Sequence, residues 1–492
     1  MKFLFSSKKL RALVAFVCVL FTGFTPPQKS SDLEKQQTIL LYHVNIVDVV
    51  TGKISRNKAI LITNNRIEAI AEFNILRSKN RAARAIDAKG KYAIPGLWDM
   101  HVHIEGSELV EDNLALFPVF VAYGVTTVRD MASDLGVQVL SWRDQINQGK
   151  IFGPRIFTAG IKIEGIGSKW KGDMEIANEQ DLKEKLDSLV NYKVDFIKIT
   201  ENALQGDLFL KSVIAAKKLG FKVSGHLPID LSITDLEDAG YNSVEHGSYL
   251  LRLGSDEQKI ASDVRNGLIS KQEASRLYRE HFDQQKAIQG YRKMAAKHVA
   301  VCPTFSGSKL SAFPDSNDHR KDDYLKFLTK RFQSNYDWRD PARPRDTESQ
   351  VSERQKNFQL LTRQLPLMQS AGMLILAGTD AAAMNDFIYP GYSLHQELEI
   401  YQDGGMSPLA VLQSATINGA TFLSVSDSLA TVEPGKIADI VLLNENPLHD
   451  IRATKNIFAV IKSGVYFDRA ALDSLLDSAK RKKVELDAKR GE

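Results

Sequence analysis

Between residues 93 and 377, short runs of apolar and β-branched residues alternate with longer stretches in which apolar residues recur every three or four positions. The runs are Ala93–Met100, Gly124–Arg129, Arg155–Ala159, Asp195–Ile199, Lys222–Gly225, Ser243–Glu245, Val299–Pro303 and Leu374–Ala377. Each is bounded by turn or polar residues, the mark of a buried strand. The stretches between them, such as Glu179–Tyr192 and Ala203–Leu219, carry an apolar stripe of helical period. Eight strands alternating with helices predict an α/β fold of the (β/α)₈ TIM-barrel type, whose usual size is about 250 residues. The pattern places this barrel at residues 94–430.

Two β-rich segments flank it. Residues 38–93 contain Ile39–Val50, Lys58–Thr63 and Arg66–Ile70, and residues 431–468 contain Ile437–Leu443 and Phe458–Val465. Neither piece is large enough to bury a core of its own. The two chain ends are therefore expected to pair into one composite β-sandwich beside the barrel, with residues 469–492 as a C-terminal helical tail.

Two connections exceed the usual length, near residues 249–297 and 306–372. Both leave from strand C-terminal ends, the end that carries the active site in barrel enzymes. They are expected to wall the substrate pocket, inert surface decoration being the alternative. Their cations include Arg252, Arg265, Arg292, Arg331 and Arg363, which suit an anionic substrate group or, equally, solvated helix faces.

At the N-terminus the pattern changes. Lys2, Lys8, Lys9 and Arg11 precede the apolar run Ala12–Phe24, which Thr25-Pro26-Pro27 break. A basic segment followed by an apolar stretch of roughly 7–15 residues predicts a signal peptide over residues 1–25 and an exported protein, periplasmic or secreted. The run falls short of the roughly 20 residues of a membrane span, so no span is expected in the mature form, although a retained N-terminal anchor is the alternative. Those four basic residues account for the whole formal charge of +4. The mature chain is nearly neutral, and a nucleic-acid or other polyanion partner is not expected.

With 43% hydrophobic and 25% charged residues the composition is that of a globular protein, so disorder and fibre formation are excluded. Of the two cysteines, Cys18 lies in the predicted signal, and Cys302 sits in the apolar run Val299-Ala300-Val301-Cys302. One remaining thiol forms no internal disulfide, and its apolar surroundings predict a buried, inert group.

The residues suited to chemistry fall at the strand ends. His101-Val102-His103 closes the first strand, where alternation points both imidazoles the same way, towards one ion. Lys198 lies at the end of the fourth strand, within the apolar Phe196-Ile197-Lys198-Ile199. His226 ends the fifth strand, His246 the sixth and Asp380 the eighth. Singly, each has a plain structural explanation: a hydrogen-bonded core histidine, a snorkelling lysine, a capping aspartate. Six metal-competent side chains at the C-terminal ends of five strands point instead to a metal site.

In this order and at these strand positions, His101, His103, Lys198, His226, His246 and Asp380 resemble the amidohydrolase superfamily. The local wording is similar to its imidazolonepropionase-like and Xaa-Pro dipeptidase-like branch. The matching stretches are Ile94-Pro95-Gly96-Leu97-Trp98-Asp99-Met100-His101-Val102-His103, Gly124-Val125-Thr126-Thr127-Val128-Arg129-Asp130, Val244-Glu245-His246-Gly247 and Ala377-Gly378-Thr379-Asp380, with Leu394–Glu399 and Pro434–Val441 further on. The resemblance implies two divalent ions, zinc by preference, bridged by a carbamate formed on Lys198. His101, His103 and Asp380 would hold one ion and His226 and His246 the other. A hydroxide bridging the ions would attack the substrate carbonyl while Asp380 shuttles its proton to the leaving amine. The long connections depart from the family pattern.

Other residues read as structural. Arg129-Asp130 ends the second strand, where a substrate-carboxylate contact competes with a buried ion pair. His395 and Glu397 lie on the helical stretch after the eighth strand and are not expected to touch metal. Ser407-Pro408 reads as a helix N-cap and first-turn proline. The activity expected is binuclear metal-dependent hydrolysis of a C–N bond in a small-molecule substrate, a dipeptide or N-acyl amino acid. The alternatives are a cyclic-amide hydrolase or deaminase of a small heterocycle, against which Lys198 argues, and a secreted binding protein that has lost catalysis.

Overall fold

The first predicted strand, Ala93–Met100, is broken at Gly96, and that break divides the molecule into two β systems. The computed structural model describes residues 38–492 apart from 315, 337 and 339–345. The predicted signal peptide, residues 1–25, lies outside the described residues.

Before the break come β1 (Thr38–Val47), β2 (Ile54–Thr63), β3 (Arg66–Ala71), β4 (Arg84–Asp87) and β5 (Tyr92–Pro95). After it come β6 (Leu97–Val102), β7 (Val125–Asp130), β8 (Arg155–Thr158), β9 (Ile163–Gly165), β10 (Met174–Ile176), β11 (Ile197–Ile199), β12 (Val223–Gly225), β13 (Ser243–Glu245) and β14 (Ala300–Cys302). The chain ends with β15 (Ile440–Leu443), β16 (Ile457–Lys462), β17 (Val465–Asp468) and the helix Arg469–Arg490. At Gly96 a Cβ would lie 2.1 Å from the Thr126 hydroxyl, so only glycine lets the chain pass from β5 to β6 this close to β7.

Strands from both chain ends form one sheet in the order β17-β16-β15-β5-β1-β2-β3, with β4 paired to β1. The sheet curls: Ile67 N–H, on β3, donates to the Lys436 carbonyl at 2.9 Å, and Gly435 N–H donates back to Ile67 at 2.8 Å. The curled face encloses Ile39, Leu41, Ile60, Ile62, Ile440, Leu442 and Ile461, contributed alternately by their strands.

The parallel strands after Gly96 form two sheets, β6-β7-β8 and β10-β9-β11-β12-β13-β14. The predicted eighth strand, Leu374–Ala377, is not a regular ladder. Single bridges join Ile375 to Val301 and Ala381 to Val102, so residues 374–381 lie between β14 and β6. The irregularity has a local cause. Gly378 runs so near its neighbours that a Cβ would lie 2.4 Å from the Cys302 sulfur and 2.7 Å from His101. Two residues on, Asp380 takes a left-handed conformation at φ 63°, which ends the extended run.

The helices bury one face against these strands. Glu179–Tyr192 starts at Asn178, whose side chain accepts from the Gln180 and Asp181 amides, and ends where Lys193 turns left-handed. It buries Leu182, Leu186 and Leu189, each contributing about 1.5–3 kcal/mol of hydrophobic stabilisation. The first long connection folds into Glu257–Arg265, Lys271–Glu280 and Gln284–Ala296, and the second contains Glu348–Thr362 and Leu365–Ser370. Among the described residues no helix is long and apolar enough to cross a membrane.

Candidate metal centre

Strand geometry gathers five of the six predicted ligands into direct contact. His101 lies on β6, and His103 follows one residue beyond it on the same side of the strand. His226 and His246 follow the ends of β12 and β13. His101 Nε2 and His103 Nε2 lie 3.2 and 3.3 Å from the same Asp380 oxygen, Oδ1. His246 Nε2 lies 3.2 Å from His226 Nε2, and the His101 and His246 ring centroids are 5.1 Å apart. One ligand atom each from His101, His246 and Asp380 fall within 4.8 Å of one another. Lys198, in the middle of β11, is only 3% exposed and acts electrostatically on His103 and His246, with Asp380 acting on it in turn.

Every imidazole is held from behind through Nδ1. His101 Nδ1–H donates to Glu245 Oε2 at 2.9 Å, His103 Nδ1–H to the Ala132 carbonyl at 2.7 Å, and His226 Nδ1–H to Glu201 Oε2 at 2.9 Å. Since these partners only accept, each Nδ1 carries a proton and each Nε2 is turned inward. His246 Nδ1 lies 2.7 Å from the Thr304 hydroxyl. Tyr249 donates to the other Glu201 oxygen at 2.6 Å.

The donor set fits divalent ions. Buried His101 Nε2 has no hydrogen-bond partner and faces the space shared with His103, His246 and Asp380. Such an orphan costs about 1–3 kcal/mol unless something else satisfies it. The His226–His246 nitrogen separation is close to the about 3.3 Å expected for two ligands on a tetrahedral ion with bonds near 2.05 Å.

The electrostatics divide by position. Burial disfavours the charged form of His246, whose pKa lies well below the ordinary value. Burial and then the Lys198 charge lower that of His103. Burial lowers the His101 pKa, but the Asp380 charge 3.2 Å away and the hydrogen bond to Glu245 outweigh it and leave it raised. Asp380, despite burial, is held well below the carboxylate range by His101 and His103. Burial, then Lys162, lowers Lys198 to about 8. Backbone strain concentrates here: Ala132, His246, Thr304, Asp380 and Phe387 all have φ between 50° and 86°. Non-glycine residues so held each cost about 1–3 kcal/mol and cluster at functional sites.

Of the other sequence candidates, Arg129 is no substrate contact. It is fully buried, donating to both Glu245 oxygens at 2.8 and 2.9 Å and to the Met100 carbonyl at 2.6 Å. Asp130 accepts from Ile104 N–H at 3.0 Å and the Thr158 hydroxyl at 2.6 Å. His395 contacts the Tyr123 carbonyl and Thr454. Glu397 accepts from the Phe305 and Ser306 amides at 2.6 and 2.7 Å, anchoring the segment that carries Thr304. Cys302 is buried, and burial raises its thiol pKa well above the usual range. Glu245, Glu201, Thr304 and Tyr249 were not singled out by sequence reasoning. A charged residue in the short apolar Ser243-Val244-Glu245 was the signal available for the first of them.

A cavity of about 950 Å³ opens over His246 and Asp380. Its walls include Phe305, Leu310, Asn317, Trp338 and Phe387, with Arg320 and Arg354 as cations. The second long connection thus supplies pocket wall as expected, but through other arginines. Arg252 is buried against Glu257 and the Pro228 carbonyl, Arg265 donates to the Asp230 carbonyl, and Arg331 pairs with Glu492. From the first long connection, the contact with the centre is Tyr249, through Glu201.

Comparison with known proteins places this geometry in context. The amidohydrolase family model matches residues 92–466. A candidate prolidase from Bifidobacterium longum superposes with a TM-score of 0.61 at 26% identity, covering 90% of this chain and 99% of that one. A Xaa-Pro dipeptidase with methionine bound in its active site superposes at 0.63 with 22% identity, covering 88% of this chain and 100% of that one, a likeness of fold. An adenine deaminase from Thermosipho africanus is 34% identical over 120 residues, 24% of this chain and only 20% of that protein.

Proposed function

Because this chain belongs to the amidohydrolase family, we propose that it is a metal-dependent hydrolase of a C–N bond, acting on the amide of a dipeptide or N-acyl amino acid. One observation carries the reading: the Nε2 atoms of His101, His103, His226 and His246 converge with Asp380, while Nδ1 of each ring is engaged behind. Such outer partners orient metal ligands and set their tautomer. We read residues 374–381 as the eighth staves of a closed (β/α)₈ barrel, with the curled sheet as its companion domain.

His101, His103 and Asp380 would hold one divalent ion and His226 and His246 a second, with Lys198, as its carbamate, between them. Bound there, the ions, zinc by preference, supply Lewis-acid polarisation of the scissile carbonyl and acidify the attacking water. The protein's own part is proton transfer and positioning. Asp380 accepts the proton of the attacking water and returns it to the leaving nitrogen, a role open to a carboxylate kept ionised. Glu245 and Glu201 hold His101 and His226 by Nδ1, which turns each Nε2 towards the centre. The side walls of the cavity exclude bulk water and bind the rest of the substrate.

Hydrolysis profiling of dipeptides and N-acyl amino acids with zinc-loaded protein, together with elemental analysis, tests the reading. Two ions per chain and amide cleavage are expected; one ion or fewer would remove the binuclear centre. A second reading, deamination of a small heterocycle, draws on the partial similarity to adenine deaminase. Ammonia release from adenine, without cleavage of any amide in the library, would favour it. Export remains part of the proposal on the strength of residues 1–25, and fractionation showing a full-length cytosolic protein would overturn it.

A further inference from the structure

The cavity above the metal centre does not end in a plain wall. Beside it lies a second cavity of about 340 Å³, lined by Tyr123, Tyr324, Tyr389 and Tyr392 together with Lys309 and Gln396. Leu310, Asn317, His319, Phe387 and Ile388 line both. At this shared boundary the His319 and Phe387 rings stack with centroids 4.2 Å apart and planes 4° from parallel.

The partition is built with care. Asp322 Oδ2 accepts from His319 Nδ1 and from the Tyr389 hydroxyl, both at 2.7 Å, which fixes the imidazole plane. Tyr336 meets the other ring edge-on, its centroid 5.2 Å from that of Phe387. Phe387 itself sits at φ 59°, a conformation that costs a bulky residue about 1–3 kcal/mol. The position makes sense if the ring must stand at this boundary.

The second cavity is also chemically distinct. The Tyr324 hydroxyl donates to the Pro390 carbonyl at 2.6 Å and its ring stacks on Tyr389 at 4.6 Å. Tyr324 and Tyr389 are thereby buried and held as backing, and the half-buried Tyr123 and Tyr392 supply ring surface at the lobe's wall. Ring surface prefers a flat apolar group, bound by offset or edge-to-face stacking. The volume is near the lower end of the roughly 300–1,000 Å³ typical of small-molecule sites, enough for one aromatic group and its linker.

The geometry points to a two-lobed substrate site, in which the C–N bond lies beside Asp380 and an aromatic group several bonds away occupies the tyrosine-lined lobe against the His319–Phe387 stack. This rests on the C–N hydrolase reading and deepens it: the substrate is an extended amide with a distal aromatic group. The lobe provides binding energy remote from the reacting bond, which raises kcat/KM without touching the metal ligands.

The test compares N-acyl amino acids sharing one amino portion, with acyl groups from acetyl to 4-phenylbutyryl, and the matching series extended on the amine side. Lys309 is exposed on the helix Phe305–Ala312, so Lys309→Trp fills the lobe without disturbing the core. Phe387→Gly deletes the stack while suiting the backbone, since glycine adopts positive φ freely. In the wild type, kcat/KM for one of the aromatic-extended series should exceed that for its acetyl parent at least about tenfold. Both variants should bring the ratio to within about twofold. No aromatic preference in the wild type, or a preference that survives Lys309→Trp, overturns the two-lobed site. Should no amide be cleaved, the hydrolase reading fails separately, and calorimetry with 4-phenylbutyrate decides the lobe. Binding abolished by Lys309→Trp sustains it; no binding, or equal binding, ends it.

Discussion

Glu245 and His101 share a 2.9 Å hydrogen bond with neither side chain exposed, and Arg129 closes on the same carboxylate at 2.8 Å. Ser243 adds a further hydrogen bond to Glu245 at 2.7 Å. Releasing the imidazole would leave the buried His101 Nδ1–H without an acceptor, at a cost of about 1–3 kcal/mol. His101 is therefore pinned in one tautomer by a network anchored on β7 and β13, remote from the substrate.

Glu245→Gln should accordingly weaken metal binding more than a surface change of equal size. Loss of such an outer-shell partner costs about 10–100-fold in metal affinity. Leaving Arg129 buried without its carboxylate should cost about 3–5 kcal/mol of stability. Competitive chelation and thermal unfolding measure the two effects separately. Unchanged affinity in a folded variant would show that Glu245 does not position His101.

Asp380→Asn keeps the shape of the side chain and removes its capacity to take a proton. Since positioned acid–base groups contribute about 10²–10⁴-fold, kcat should fall by a comparable factor while much of the metal stays bound. Steady-state kinetics with parallel elemental analysis checks this. Turnover at even a tenth of the wild-type rate would remove Asp380 from the role of proton shuttle.

How much of this was legible beforehand follows from what each residue's signal depends on. His101, His103, His226, His246 and Asp380 announce themselves because strand ends are set by local pattern and parallel strands gather their C-terminal ends on one side. The irregular ladder of residues 374–381 was not legible because it depends on contacts distant in sequence, Gly378 against Cys302 and His101. Gly96 split the first strand for the same reason, through Thr126. Glu201 and Thr304 were invisible as orienters of His226 and His246, since neither spacing nor periodicity encodes a pairing across 25 or 58 residues. Which arginines of the long connections reach the cavity depends on how those connections pack, and Arg252 and Arg331 turn to Glu257 and Glu492 instead.

The buried His395 makes a prediction about pH. Burial lowers its pKa from 6.5 to about 4, the hydrogen bond to the Tyr123 carbonyl only partly opposing. The folded state thus resists a proton that the unfolded chain accepts. Stability is full above pH 6.5, declines as pH falls through 6.5, and levels off below about 4. The loss attributable to this residue is about 3 kcal/mol, at 1.36 kcal/mol for each pKa unit. Denaturant unfolding at a series of pH values should show this decline, and His395→Gln should flatten it. An identical slope in the variant would assign the acid sensitivity to other groups.

Lys198 carries the final prediction. An ammonium beside metal ligands would repel the ions, yet this side chain is almost wholly buried and acts electrostatically on His103 and His246. Burial and the nearby Lys162 charge favour its neutral amine. A neutral amine can add to the carbon of CO₂ and lose one proton, which turns a cation into a carbamate anion able to lie between two ions. Lys198→Ala should then do two things at once: lower the metal content from about two ions per chain to about one, and lower kcat by about 10²-fold or more as the Lewis-acid contribution is lost. Short-chain carboxylic acids such as acetate or propionate fit the vacated space and supply the missing carboxylate, so they should restore part of both. Lys198→Arg should not be rescued, because a permanent cation occupies the space. In the wild type, protein prepared with ¹³C-bicarbonate should show a carbamate carbon resonance that disappears on acidification. If Lys198→Ala keeps two ions and near-native turnover, the lysine is a structural side chain and the ions, if bound, are bridged by other means.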